Sequence, residues 1–361
     1  MDITATGSTP AADARMVSVI LPVRNEARFI KRSLEAVFAQ DYPADRMEVI
    51  VADGMSTDGT RETVKSFQAR RSQLSLIDNP GQIVPTGLNA AIAHARGEII
   101  VRVDGHCEIE SDYVRRSVEH LRSGDVDGVG GPLETIGETP LAAVIAEAMS
   151  SRFGVGGSAF RTSKNKTMLT DTVAFPAYTR AVIDRAGPFD EELVRNQDDE
   201  YNYRLRKIGA KILLAADVRS RYYSRSSLRS LWRQYFQYGY YKVRVMQKHP
   251  RQMQPRQFAP PLFVAVLMIS LLAAPFSYAC ALGLAAAAGS YALANIGASV
   301  LTARGKGLRV LSLLPVTFVA LHFSYGFGFL LGLARFWNRW GDHGGKVSNN
   351  STLPAQGAEQ I

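Results

Sequence analysis

The amino-acid sequence predicts an α/β layer domain over residues 16–220, a basic amphipathic segment over 221–256 and transmembrane helices over 257–341. Three observations carry this. Through about residue 215, short apolar runs alternate with amphipathic segments, the pattern of strands and helices stacked in layers. Three of the apolar runs end at polar, chemically capable residues, which is where open α/β sheets bind ligands. From Gln257 to Ala303 no Asp, Glu, Lys, Arg or His occurs, and from Val310 to Ala334 only His322 interrupts a second apolar stretch.

The elements follow in order. Val17–Leu21 reads as a buried first strand stopped by Pro22. Phe29, Ile30, Leu34, Val37 and Phe38 recur at helical spacing and give the first helix. Glu48–Ala52 is a second strand ending at Asp53, and Thr60–Ala69 a helix with Thr60 as its cap. Leu74–Ile77 is a third strand, Thr86–Ala95 a third helix, and Glu98–Val103 a fourth strand ending at Asp104. Farther on, Leu228, Leu231, Trp232, Tyr235, Phe236, Tyr240, Val243 and Met246 share one face of a helix over 227–247, with most of the basic residues off it. That face describes a helix lying in a membrane interface, although a core-packing helix shows the same periodicity.

A spanning helix needs about 20 apolar residues, so the first uncharged run fits two helices and the second fits one. Directly ahead of them stand Arg221, Arg225, Arg229, Arg233, Lys242, Arg244, Lys248, Arg251 and Arg256, with no acid between. They match the whole formal excess of +9. A basic segment so placed marks the cytoplasmic side and favours an anionic lipid surface. Its position beside the spans argues against nucleic acid as the partner. Cys107 and Cys280 suggest neither a disulfide framework nor a zinc site. Residues 1–15 lack an apolar core and read as a disordered leader, not a signal peptide, which keeps the α/β domain in the cytosol. Residues 342–361 read as a disordered tail. Pro315 and the Gly326/Gly328 pair could break the last apolar segment so that it re-enters, keeping Arg335, Arg339 and Lys346 inside.

Taken singly, the polar motifs are ambiguous. Asp53-Gly-Met-Ser-Thr-Asp58-Gly-Thr60 can receive a base or ribose, with Gly54 and Gly59 supplying tight turns; it serves equally as an Asx-type turn. In Asp104-Gly-His106, residues two apart on an extended chain share a face, so carboxylate and imidazole can converge on a cation. Alone, the pair reads more simply as a turn-capping Asp and an unrelated His. Asn196-Gln-Asp198-Asp199-Glu200-Tyr-Asn-Tyr-Arg204 offers Asp198 as a general base, or merely an acidic helix start favoured by the helix dipole. Gly154–Gly157 and Arg161–Lys166 read as a mobile loop near the acceptor.

Their order changes the reading. V-S-V-I-L-P-V-R-N-E (17–26), V-I-V-A-D-G-M-S-T-D-G-T (49–60), G-L-N-A-A-I-A-H-A-R-G-E-I-I-V-R-V-D-G-H (87–106) and G-P-F-D-E-E-L-V-R-N-Q-D-D-E-Y-N-Y-R (187–204) occur in one chain. The chain resembles the inverting glycosyltransferases of family 2, which have a GT-A fold, and within them the bacterial succinoglycan-type branch of exopolysaccharide glucosyltransferases. The resemblance covers about residues 16–250. It implies that Pro22, Asn25 and Glu26 line the nucleotide pocket, that Asp53 contacts the base with Asp58 in the same loop, and that Asn89 lies near the ribose-diphosphate. Asp104 and His106 would hold a divalent metal and the diphosphate, and Asp198 would be the base, with Asp199 its neighbour and rival. His106 stands where a second Asp is usual, and Gln197 and Tyr201 stand for the usual Glu and Leu. Imidazole at the metal favours Mn²⁺ over Mg²⁺.

What the resemblance implies is a membrane enzyme of the bacterial inner membrane with its catalytic domain in the cytoplasm. It would carry sugar from a nucleotide-sugar donor, UDP-linked, to a lipid-linked glycan acceptor in a single inverting displacement. The Q-x-x-R-W motif of processive synthases is absent as such, and Trp232-Arg233-Gln234 has the order changed, which favours adding one sugar over polymerising. A tethered sugar-nucleotide-binding protein without turnover is the alternative that the altered motifs leave open.

Overall fold

In a computed structural model, residues 14–163 and 165–341 of the protein are described. The leader and the tail expected to be disordered lie outside them, apart from residues 14 and 15. β1 (Val17–Val23) is buried at every position, as an apolar strand covered on both faces must be. α1 (Ile30–Phe38) turns Ile30, Leu34 and Val37 inward. β2 (Met47–Asp53), α2 (Thr60–Gln68), β3 (Leu74–Asp78), α3 (Val84–His94) and β4 (Ile99–Arg102) follow. The four strands are parallel in the order β3-β2-β1-β4. Each element stands within two or three residues of its sequence-predicted place.

Beyond β4 come β5 (Cys107–Ile109), α4 (Tyr113–Arg122), β6 (Gly128–Gly131), β7 (Leu133–Ile136), α5 (Pro140–Ser150), the single-turn helices α6 (Arg152–Val155) and α7 (Ala159–Thr162), and β8 (Met168–Leu169). They are followed by β9 (Ala174–Thr179), α8 (Arg180–Ala186), α9 (Gln197–Lys207), β10 (Ile212–Leu214) and β11 (Ser220–Tyr223). β9 joins β4 antiparallel and carries the sheet through β6 and β10 to β8. A second sheet runs β5-β11-β7. The chain closes with α10 (Leu228–Lys248), α11 (Pro255–Ala273), α12 (Tyr278–Thr302) and α13 (Leu308–Arg335). The last three are long and apolar enough to cross a membrane.

Two expectations change here. α10 does not offer its cations to lipid along its whole length. Arg229 and Arg233 are exposed, but Lys242, Arg244 and Lys248 are buried against acids of the α/β domain. The acids were out of view in the sequence because Arg244 pairs with a residue 52 positions upstream. The last apolar segment does not break either. α13 runs unbroken through Pro315, Gly326 and Gly328, yet both its ends meet the α/β domain. Lys306, just before it, pairs with Glu147, and Arg339, just after it, pairs with Glu192.

α10 and α13 cross at backbone contact. A Cβ on Gly239 would lie 2.0 Å from the carbonyl oxygen of Tyr325, and one on Gly328 would lie 2.0 Å from that of Phe236. Small residues permit such an approach. Nothing lies within 4 Å of a Cβ added to Gly283 on α12. Gly328→Val should therefore lower the thermal unfolding midpoint of the detergent-solubilised protein by ~5 °C or more, whereas Gly283→Ala should leave it unchanged. Equal midpoints for both variants would show that the α10–α13 crossing is not close-packed.

Candidate active site

The loops that leave β1, β2 and β4 open on one sheet edge, because Val23 is registered with Asp53 and Ile20 with Arg102. Two of these loops are stitched together. Asn25 accepts from the Thr57 N–H through Oδ1 and its own N–H donates to Ser56 Oγ, both at 2.9 Å. The Glu26 N–H donates to Thr60 Oγ1 at 2.7 Å and the Ala27 N–H to Asp58 Oδ2 at 3.0 Å. Asp53 has no exposed surface; its carboxylate accepts from the Ser56 N–H and, at 3.0 Å, from Arg61. Asn25, Asp53 and Asp58 thus fix the loops, while Pro22, Glu26 and Asp104 line the adjoining cleft. Asn89 also stands off the cleft. Its amide donates to the Phe189 carbonyl and to Glu191 Oε1, both at 2.9 Å, and its oxygen accepts from the Phe189 N–H at 2.8 Å. It pins the segment that leads into α9.

The cleft, about 1510 Å³, runs from this edge to the apolar helices, where Phe263, Tyr291, Leu321 and Tyr325 line it. At its sheet end Arg102, only 6% exposed, is the hub. Its Nε and Nη2 donate to Asp104 Oδ1 at 3.0 and 2.9 Å, and its Nη1 pairs with Asp198. One guanidinium therefore brings the end of β4 and the start of α9 together across 96 residues of sequence. His106 donates from Nδ1 to Glu26 Oε1 at 2.8 Å. Burial disfavours its charged form, but the Glu26 carboxylate outweighs burial and pushes the imidazole up to about 9.

The residues suit a divalent cation that takes few protein ligands. No group of three or more His, Cys, Asp or Glu forms a cage among the described residues. Ions that bind substrate phosphates need only one or two carboxylates. Asp104 commits Oδ1 to Arg102, and Glu26 Oε2 is buried with no hydrogen-bond partner, an orphaned anionic oxygen beside the Asp104-Gly-His106 turn. His106, protonated against Glu26, is not a ready ligand and would have to give up its proton first.

The segment around Asp198 is gripped from the other side by α10. Lys248 pairs with Asp190, and Lys242 with Asp199. Arg244, with no exposed surface, forks onto Glu192 at 2.8 and 3.0 Å; Lys248 and Arg339 join the same carboxylate at 2.8 and 2.6 Å. Burial alone would raise Glu192, but the Arg244 and Lys248 bonds hold it below the usual carboxylate range. His249 donates to Glu200 at 3.0 Å, and Arg204 to the same oxygen at 2.7 Å. Of the two candidate bases, Asp198 faces Asp104 through Arg102, and Asp199 faces α10. Sequence reasoning missed Arg102 although its signal was present: a lone cation between valines in a buried strand requires an anion nearby.

Residues 18–187 match the family model described as Glycosyl transferase family 2. The chain is 30% identical over 335 residues to the succinoglycan biosynthesis protein ExoA of Rhizobium meliloti, covering 89% of this chain and 96% of that protein. It is 30% identical over 240 residues (64% and 74%) to the dolichyl N-acetyl-alpha-D-glucosaminyl phosphate 3-beta-D-2,3-diacetamido-2,3-dideoxy-beta-D-glucuronosyltransferase of Methanococcus voltae. Among solved structures it is similar to the mannosyltransferase PcManGT from Pyrobaculum calidifontis in complex with GDP-Man and Mn²⁺, with a TM-score of 0.56, 21% identity and coverage of 90% and 88%. That likeness fixes the fold as GT-A.

Truncating Arg244 takes two hydrogen bonds from the buried Glu192 carboxylate and leaves it to Lys248 and Arg339. Arg244→Ala should cost about 3–5 kcal/mol of stability in denaturant titrations. Arg244→Met combined with Glu192→Leu should cost less than the sum of the two single changes. Strict additivity would mean that the pair contributes no coupling.

Proposed function

Since this chain belongs to glycosyl transferase family 2 and is a transferase, we propose that it moves a sugar from a nucleoside-diphosphate donor onto a lipid-linked saccharide. The setting is exopolysaccharide or related envelope glycan synthesis, as the succinoglycan relative suggests. The observation that carries this reading is the Arg102 bridge, which sets Asp104 and Asp198 on either side of one guanidinium at the head of a cleft that continues to the apolar helices. Asp104 belongs to the donor's diphosphate side. Asp198, 40% exposed in its side chain, is left open to accept a proton from an acceptor hydroxyl as that oxygen attacks the anomeric carbon. A single displacement of this kind inverts the configuration and leaves no covalent sugar on the enzyme. The dolichyl-phosphate relative and the apolar far wall of the cleft both support an acceptor with a lipid tail.

Asp104, with Glu26 and His106 beside it, would hold a divalent cation, which when bound offsets charge on the departing diphosphate. Arg102 holds the Asp198 carboxylate at the head of the cleft. Asn25, Asp53 and Asp58 act by keeping the nucleotide-side loops in register, and Asn89 by holding the approach to α9. UDP is our first choice of donor nucleotide; the GDP-Man neighbour makes GDP the second. We place the α/β domain on the cytoplasmic face of the inner membrane, with the α11–α12 hairpin inserted. Its tip carries Phe276, 90% exposed, and Tyr278.

Purified protein with a panel of UDP- and GDP-sugars and a polyprenyl-diphosphate saccharide should release nucleotide diphosphate. EDTA should stop the release, and Mn²⁺ should restore it better than Mg²⁺. Asp198→Asn should lower kcat ~10²–10⁴-fold with the donor KM little changed. Activity retained in Asp198→Asn would remove it as the base, and the absence of nucleotide release with every donor and acceptor would favour a binding module. Hairpin insertion has its own check, because Cys107 is buried while Cys280 sits at the start of α12. A membrane-impermeant maleimide should label Cys280 in spheroplasts; no labelling until the membrane is opened would contradict a spanning hairpin.

A further inference from the structure

Most arginines of the α/β domain that hold its structure do so on carboxylates: Arg61 on Asp53 and Asp78, Arg102 on Asp104 and Asp198, Arg116 on Asp112 and Asp217, Arg204 on Glu200. Three arginines in the wall of the cleft instead donate to neutral side chains, while Arg24 donates to the Gln82 carbonyl. Arg161 donates to Thr135 Oγ1 at 3.3 Å, Arg195 to Gln237 Oε1 at 3.0 Å and Arg225 to Gln234 Oε1 at 3.0 Å. Among the described residues none of the three is paired with an acid. All three are partly buried and all line the cleft. Burial depresses the Arg195 guanidinium below its ordinary range, which marks the desolvation it bears.

They are tied into one surface. Gln234, which orients Arg225, also donates to the Tyr238 hydroxyl at 2.9 Å and to that of Tyr222 at 3.5 Å. Arg161 lies 5.7 Å over the Tyr222 ring, which in turn meets the His106 ring edge-on at 5.1 Å. Asn196, between Arg195 and the α9 acids, donates to the Tyr238 carbonyl at 2.9 Å. Neutral amide and hydroxyl groups thus hold the three guanidiniums in the wall of the cleft. Partly buried guanidiniums held by neutral partners favour an incoming anion. Planar forks held this way match phosphate oxygens bidentately.

We propose that Arg161, Arg195 and Arg225 form the binding site for the phosphate or diphosphate head of the lipid-linked acceptor. This rests on the reading that the acceptor carries a lipid. At the Arg195 end, position separates this anion from the donor's, whereas Arg225 is within electrostatic reach of Glu26 and Asp104. The donor end of the cleft is at Asp104 and Glu26. Arg195, three residues ahead of Asp198, turns toward Gln237 on α10 and hence toward the apolar helices. An amphiphile whose head sits on these arginines can lay its chain along Phe263, Tyr291 and Tyr325 and present its first sugar to Asp198.

Binding of farnesyl diphosphate, farnesol, inorganic pyrophosphate and UDP to the full chain in detergent tests this directly. Farnesyl diphosphate should bind about ten-fold or more tightly than farnesol or pyrophosphate. Arg195→Gln and Arg225→Gln should each weaken it about ten-fold while UDP affinity stays unchanged, and Arg195→Lys should lose less. Near-UV circular dichroism verifies folding, and Arg225→Gln carries the test if Arg195→Gln does not fold. Loss of UDP affinity in the variants would reassign the arginines to the donor. Equal binding of farnesyl diphosphate and farnesol, or of farnesyl diphosphate and pyrophosphate, would also overturn the proposal. A failed sugar-transfer assay alongside the expected binding pattern would count against the transferase reading and not against this site.

Discussion

The structure depends on how the acidic segment from Asp190 to Glu200 is held. Its carboxylates are clasped on one side by Arg102 from the central strand and on the other by Lys242, Arg244, Lys248 and His249 from the end of α10 and the turn after it. Buried ion pairs of this kind add little net stability compared with an apolar core, but breaking one is costly. Their effect is therefore geometric. They specify where α10 docks, and α10 in turn places α13 through the glycine crossing. The apolar helices and the candidate base are fixed relative to each other by the same set of charges.

Electrostatics also separates the two halves of the cleft. At the sheet end, cations and anions alternate at contact distance: Glu26 with His106, and Arg102 with Asp104 and Asp198. Arg102 there faces two carboxylates and Glu26 Oε2 has no hydrogen-bond partner, so this end carries spare anionic oxygens. Toward the helices, arginines rest on neutral partners, and the cleft wall turns apolar. The Tyr222 phenol stands between the halves, and although burial would raise it, Arg225, His106 and Arg161 draw it below its usual range.

Much of the fold was legible in the sequence. The β1–β4 strands and their helices alternate in the simplest period, Asp53 ends β2 and Asp104 follows β4 as expected, whereas β1 runs on through Pro22 to Val23. The second half of the sheet was not, because β8 has two residues and β10 three, too short for periodicity to register. In the site, Asp104 and Asp198 were named together, and Arg102 joins them. Asn25, Asp53, Asp58 and Asn89 were named too, and the hydrogen bonds with which each ties neighbouring segments together were out of view in the sequence. The basic run before the spans was read as lipid-facing since no acid lay near it in sequence. Folding brought Glu192 to it from 52 residues away.

The central claim is a single displacement on a lipid-linked acceptor with the base on the face opposite the departing diphosphate. Its most direct measurement is the anomeric configuration of the new glycoside, read by NMR from the one-bond carbon–hydrogen coupling after transfer from an α-linked nucleotide sugar onto a polyprenyl-diphosphate saccharide. The account predicts a β-glycoside. An α-glycoside would require two displacements or front-side attack and would contradict it.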